Sequence, residues 1–219
     1  MILSFSGGKD SVGAYIQLKR HFGNVVPVYM YTVPGLKFVE DSLRYYEQVM
    51  GRHILRFPHP SLFRLLNNLI LQSPEHCRII ERADLPIYDY DALFQIVREV
   101  YGISDDAYVA TGVRARDNLV RWASIKTHGP MNPTRRQFYP IFDWDKARLL
   151  KEIFDSKIAL SVEYRLFGRS FDGLDYRSVA IIKEEFPDDY ERIRELFPLV
   201  DLEVMRYTFR QEELDAKSR

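Results

Sequence analysis

The sequence has little cysteine, no excess of either charge and no long apolar run. Cys77 is the only cysteine, which excludes an internal disulfide, an all-cysteine iron–sulfur cluster and a zinc site built from CxxC pairs. Thirty-one basic residues balance thirty-one acidic ones, so no net field attracts nucleic acid or membrane. No apolar run reaches the roughly 20 residues that span a bilayer. Because the N-terminus also lacks the features of a leader peptide, we expect a cytoplasmic protein without membrane contact.

The 219 residues alternate between short apolar runs and amphipathic stretches. The apolar runs predict strands near 2–5, 25–32, 53–57, 107–111 and 137–141, and the amphipathic stretches predict helices between them. This alternation predicts an α/β fold with an open, mainly parallel sheet and helices on both faces. The segment 161–219 is charged and aromatic, with helices predicted near 177–186 and 188–197. We expect it to be a helical C-terminal extension packed on the domain formed by 1–160.

A glycine loop directly follows the first predicted strand. Its sequence is Ser6-Gly7-Gly8-Lys9-Asp10-Ser11. Glycines let the backbone approach a ligand closely, and the N-terminus of the following helix offers free N–H groups and a positive dipole end. The loop matches neither the Walker A pattern nor GxGxxG. These properties predict a phosphate cradle, and the alternative is an ordinary glycine turn.

The same six residues resemble the SGGxDS signature of the PP-loop ATP pyrophosphatases, the adenine nucleotide alpha-hydrolase-like superfamily. The resemblance implies a Rossmann-like sheet in 1–160 and ATP bound with its pyrophosphate in the loop. It further implies cleavage between the α and β phosphates, adenylation of an acceptor, and assistance by Mg²⁺ near Asp10. The five histidines lack metal-ligand spacing, so a zinc hydrolase is not expected.

Two later segments resemble the phosphoadenylyl sulfate (PAPS) reductase-like branch of this superfamily. Residues 111–118, followed by Arg121, resemble its TGxRxxES…R segment, and 139–144 resemble its proline–isoleucine–x–aspartate–tryptophan stretch. The C-terminal third contains no cysteine, so a thiol-based sulfonucleotide reductase is not expected. Cys77 is either a packing residue or a lone sulfur carrier.

Together these observations predict the residues of the site. The expected catalytic residues are Lys9, Asp10 and Arg114, with Asp10 as the metal ligand. The expected nucleotide-binding residues are Ser6, Gly7, Gly8, Lys9, Asp10, Ser11 and Gly112. Three more arginines are expected to bind an anionic second substrate, because guanidinium groups grip phosphate and carboxylate, and they are Arg116, Arg121 and Arg169. The alternative for these arginines is salt bridging to Asp117, Asp172 and Asp175.

The leading functional hypothesis is an enzyme that cleaves ATP to AMP and pyrophosphate and adenylates an acceptor. Its second substrate is expected to be a sulfonucleotide, a nucleic-acid phosphate or a carboxylate. The alternative is a module that binds an adenine nucleotide, ATP or PAPS, without chemistry. By analogy with accessory proteins of similar sequence, such a module would serve as a subunit in a phage or DNA-modification system, with a protein or nucleic-acid partner.

Overall fold

The computed structural model describes residues 1–171 and 173–217, and the side chains of these except 214–217. Asp172, named above as a partner for arginine, lies outside the described residues. The strands are β1 (Ile2–Ser4), β2 (Val26–Tyr31), β3 (Leu55–Pro58), β4 (Val109–Ala110), β5 (Met131–Asn132) and β6 (Gln137–Phe138). The helices are α1 (Lys9–His21), α2 (Lys37–Met50), α3 (Pro60–Asn67), α4 (Pro74–Ala83), α5 (Tyr90–Tyr101), α6 (Leu119–His128), α7 (Lys146–Ser156), α8 (Val162–Phe167), α9 (Tyr176–Glu185), α10 (Pro187–Leu196) and α11 (Asp201–Lys217). A short 3₁₀ helix covers Ala115–Asp117.

The six strands form one sheet in the order β3-β2-β1-β4-β6-β5, in which only β5 runs antiparallel. The chain builds the sheet outward from β1 through β2 to β3, then returns to the other side of β1 to add β4 and β6. Ile2 is therefore in register with Val26 on one side and with Val109 on the other. This mostly parallel sheet with helices around it confirms the expected Rossmann-like α/β fold.

Helices cover both faces of the sheet because successive strand residues point to opposite sides. Ile2 of β1 packs in a cluster with Leu93 and Val97 of α5. Its neighbour Leu3 packs in the larger core, which includes Leu18 of α1. The near-continuous apolar sequence of these strands follows from this two-sided burial.

The C-terminal helices pack on the rest of the chain through one buried carboxylate and a shared core. Asp189 of α10 accepts hydrogen bonds from the backbone N–H groups of Lys37 and Phe38, at 2.6 and 3.0 Å. These are the first residues of α2, whose own N-cap residue supplies no side-chain bond. Phe38 also stacks on Phe186 at 4.8 Å between ring centroids, and Phe197 lies in the same core as α1. The extension thus stabilises the N-terminal end of α2.

Several elements were not predicted, and their local sequences explain why. Helices α4, α6, α8 and α11 and strand β5 were missing from the prediction, and the observed β4 and β6 have only two residues each. Helix α6 has one buried residue and lacks a clear apolar face, whereas α4 has an apolar face but no buried residue. Among the described residues, no helix combines the length and the apolar character needed to cross a bilayer.

Candidate functional site

The glycine loop lies where β1 ends and α1 begins, at the point where the strand order reverses between β1 and β4. In open α/β sheets this switch point is where ligands bind. Gly7 has a φ of +73°, in the left-handed region that glycine adopts without strain. Tyr46 of α2 donates a hydrogen bond from its hydroxyl to the Gly7 carbonyl at 3.1 Å. A hydrogen bond from a buried tyrosine therefore fixes the position of the loop.

The N-terminus of α1 points uncapped N–H groups at the loop. Gly8 is the N-cap residue and, having no side chain, gives no side-chain hydrogen bond. The first backbone N–H groups of a helix have no partner within the helix. Here they belong to Lys9, Asp10 and Ser11. The donors and the positive dipole end suit a phosphate group.

The two serines of the loop have different surroundings. Ser11 is 5% exposed, and its hydroxyl donates to the Gly8 carbonyl at 2.8 Å. Ser6 is exposed and its Oγ lies 3.3 Å from that of Ser11. Ser6 is thus accessible to a ligand, whereas the Ser11 hydroxyl stabilises the loop itself.

Gly112, in the loop after β4, brings that loop into backbone contact with the glycine loop. A Cβ atom at this position would lie 2.5 Å from the carbonyl carbon and oxygen of Asp10 and 2.9 Å from the nitrogen of Ser11. Real Cβ atoms do not approach so closely, and the neighbours are backbone atoms that cannot rotate away. The packing therefore requires glycine here, and the β4 loop and the glycine loop are in direct contact.

A chain of alternating charges runs from the glycine loop into the β4 loop. Lys9 Nζ lies 2.6 Å from Asp10 Oδ2, and Arg114 Nε lies 2.9 Å from Asp10 Oδ1. Arg114 Nη2 is 2.8 Å from Asp117 Oδ1, and Arg121 Nη1 is 3.5 Å from Asp117 Oδ2. Arg114 is only 8% exposed, so its charge is compensated by two carboxylates.

The other two predicted arginines are not part of this chain of ion pairs. Arg116 is largely exposed and its nearest carboxylate is Asp145, at 3.6 Å. Arg169 forms an ion pair with Asp175. The salt-bridge alternative thus describes contacts that Arg121 and Arg169 make, whereas the contact of Arg116 is with Asp145, which that alternative did not name. Binding of a second substrate by these three arginines stays a prediction.

Four residues beside the loop were not predicted as part of the site. Ser170 Oγ lies 3.1 Å from the place a Gly8 Cβ would occupy, and Ser161 lies within 4 Å of the equivalent position at Gly7. Glu163 is 4% exposed and accepts a hydrogen bond from Ser42 Oγ at 3.2 Å. Tyr46, described above, has helical spacing typical of a core residue. The serines are distant in sequence from the loop, and no local pattern marks them.

Burial raises the pKa of Tyr46, which contacts the glycine loop, and of the nearby Glu163. Loss of solvent raises the pKa of the Glu163 carboxyl, although the hydrogen bond from Ser42 opposes the shift. Burial also raises the pKa of Tyr46, and the nearby Glu163 charge adds to it. Tyr46 is therefore a neutral hydrogen-bond donor to the loop at physiological pH.

Among the described residues, no group of three or more His, Cys, Asp or Glu side chains is placed to hold a metal ion. A single carboxylate can still contribute to a Mg²⁺ ion whose other ligands are phosphate oxygens and water. Asp10 Oδ1 fits this role, because it is buried and has no well-aligned hydrogen bond among the described residues. Arg114 Nε lies 2.9 Å from this oxygen and would compete with a metal ion for it.

Comparison of the sequence with models of protein families and with curated proteins gives no match.

Proposed function

We propose that the chain is an ATP-dependent enzyme of the PP-loop, PAPS reductase-like type, which cleaves ATP to AMP and pyrophosphate and adenylates an acceptor. The observation that carries the proposal is the convergence of two loops at the switch point of the sheet. One loop offers the uncapped N-terminus of α1, and the other brings Arg114 to within 2.9 Å of Asp10. This arrangement suits a polyphosphate whose reacting phosphorus lies between the two loops.

In this proposal each residue of the loops has a defined task. Gly7 and Gly8 leave space for the β and γ phosphates, which accept hydrogen bonds from the first N–H groups of α1. Ser6 adds a hydroxyl donor and Lys9 a positive charge. An oxygen of the acceptor attacks the α-phosphorus, the bond from that phosphorus to the bridging oxygen breaks, and pyrophosphate leaves with the electron pair. Lys9 and Arg114 stabilise the negative charge that develops on the leaving group.

Asp10 would hold Mg²⁺ together with the phosphate oxygens, and the ion would supply further neutralisation of their charge. Binding of this kind changes the partners of Asp10. The contact between Asp10 and Arg114 would loosen, which would free the guanidinium to face the phosphates. Asp117 keeps Arg114 oriented while this happens, through its contact at 2.8 Å.

The test is the identity of the products formed from ATP and Mg²⁺ with candidate acceptors. We expect AMP and pyrophosphate, whereas ADP and orthophosphate as sole products would exclude the mechanism. Gly8→Val should abolish ATP binding, because a branched side chain would fill the space that the phosphate needs. Its Cβ would already lie 3.1 Å from Ser170 Oγ. Gly23→Val is the matched control, since no atom lies within 4 Å of a Cβ there.

One observation favours the second candidate, a nucleotide-binding module without chemistry. The carboxylate of Asp10 already lies between Lys9 Nζ and Arg114 Nε, so two cations compensate its charge. The variant Asp10→Ala separates the two candidates. The enzyme should keep metal-free ATP binding and lose turnover, whereas a binding module shows tight binding and no turnover in either form.

A further inference from the structure

A second concave site lies in the C-terminal extension, between α8, α9 and α11. Its volume is about 680 Å³, within the range of pockets that bind small ligands. Three arginines line it, together with two tyrosines, and these are Arg169, Arg177, Arg210, Tyr176 and Tyr207. Among the described residues, none from the glycine loop or from the β4 loop lines this cavity. It is therefore distinct from the switch-point site.

Among the described residues, two of the three arginines that line the cavity form no ion pair. Within the described part of the chain, neither Arg177 nor Arg210 has a carboxylate oxygen within 4 Å. Arg169 is paired with Asp175, and one further carboxylate, that of Glu213, lines the cavity without contacting an arginine at that distance. Two guanidinium groups with unused N–H donors thus face one space. Such a pair is suited to an anion with several oxygens.

An aromatic ring holds these arginines in place. The guanidinium carbons of Arg177, Arg206 and Arg210 lie 5.2, 5.1 and 5.3 Å from the centre of the Tyr176 ring. Arg177 Nε also donates to the Tyr176 hydroxyl at 2.9 Å. This bond and the surrounding positive charges lower the pKa of Tyr176. Stacking leaves the edges of a guanidinium available for bidentate hydrogen bonds.

Tyr207 provides an aromatic surface beside this cluster. Its ring centre lies 6.4 Å from that of Tyr176, and the two planes are inclined by 40°. Among the described residues, no arginine or lysine lies over the Tyr207 ring, and no other aromatic ring lies closer to it than that of Tyr176. Aromatic side chains next to arginines are the combination that holds a nucleobase and its phosphate.

We propose that this cavity is a binding site for a nucleoside phosphate, with the phosphoryl oxygens on Arg177 and Arg210 and the base against Tyr207. The ligand is either a free nucleotide or a nucleotide within a single strand, because both present the same chemistry. The site does not depend on ATP cleavage at the glycine loop. It is connected to that loop by two adjacent residues, since Arg169 lines the cavity and Ser170 lies against Gly8.

Binding of thymidine monophosphate and of an oligothymidylate of about 12 nucleotides tests the proposal. Thymine avoids any preference of the switch-point site for adenine. We expect Arg177→Ala and Arg210→Ala each to weaken binding roughly 10- to 150-fold, the loss typical of one charge-assisted contact. Arg210→Lys should lose part of this, because an ammonium group cannot form the bidentate contact.

Arg206→Ala is the matched control, because Arg206 stacks on the same tyrosine and pairs with Glu203 but does not line the cavity. It should bind both probes as the unaltered chain does. Equal affinity for the two probes identifies a free nucleotide as the ligand, and binding of the oligonucleotide alone identifies a strand. The proposal is overturned if neither probe binds, or if a folded Arg177→Ala/Arg210→Ala protein, checked by thermal unfolding, binds them unchanged.

Discussion

Replacing Gly112 with alanine tests whether the two loops of the site depend on direct backbone contact. The new methyl carbon would lie 2.5 Å from the Asp10 carbonyl carbon and oxygen. Carbon atoms pack at about 3.5 Å or more, so the β4 loop must move about 1 Å away from α1. Gly112 does not have a positive φ, and the strain therefore comes from lack of space alone.

The expected losses of stability and activity in Gly112→Ala follow from the displacement of the β4 loop. Overpacking costs roughly 1–3 kcal/mol, and we expect the upper end here because the neighbours are backbone atoms. For a chain of this length, about 3 kcal/mol lowers Tm by roughly 6–12 °C. A shift of about 1 Å between groups that act on one substrate reduces kcat/KM about 100-fold. Arg114 moves with Gly112, so its contact with Asp10 should lengthen as well.

The measurements are differential scanning calorimetry and equilibrium binding of ATP, followed by turnover with the acceptor once that is identified. Gly23→Ala is the control, since its new methyl group meets no atom within 4 Å. We expect the control to change stability by no more than about 0.5 kcal/mol. If Gly112→Ala has the Tm and ATP affinity of the unaltered protein, the loops do not rely on this contact and the reasoning is refuted.

Two further predictions concern buried and partly buried groups outside the loops. The pKa of Glu163 in the folded chain is raised above its usual 4.5 by burial, so the stability present below pH 4.5 is lost as pH rises through the raised value. Glu163→Gln should flatten this part of the stability profile in urea titrations at several pH values, and an unchanged profile would contradict the assignment. Cys77 is on α4, with its Sγ 3.9 Å from the carbonyl oxygen of Gln72, and Cys77→Ser should keep most of the activity. Complete loss of turnover in folded Cys77→Ser protein would instead support a persulfide mechanism.

The local sequence determined the strand–loop–helix unit of the candidate site. The residues from Ile2 to Ser11 are contiguous, so the apolar strand, the two glycines and the start of α1 depend on neighbours a few positions away. The alternation of strands and helices likewise predicted the mainly parallel sheet. Turn-forming residues and hydrophobic periodicity act over a few neighbouring positions, so both can be recognised in the sequence.

Tertiary structure alone decided which distant residues meet at that unit. The pairing of Asp10 with Arg114 requires β1 and β4 to be neighbours, and this depends on the order of strands. Ser170, which follows α8, lies against Gly8, and α8 itself packs beside α2. The adjacent Arg169 lines the separate cavity and pairs with Asp175. Contacts of this kind result from how whole elements pack, and packing depends on the shapes of many side chains at once. The spacing of charged residues along the chain therefore could not predict which arginines lie at the switch-point site and which line the cavity in the C-terminal extension.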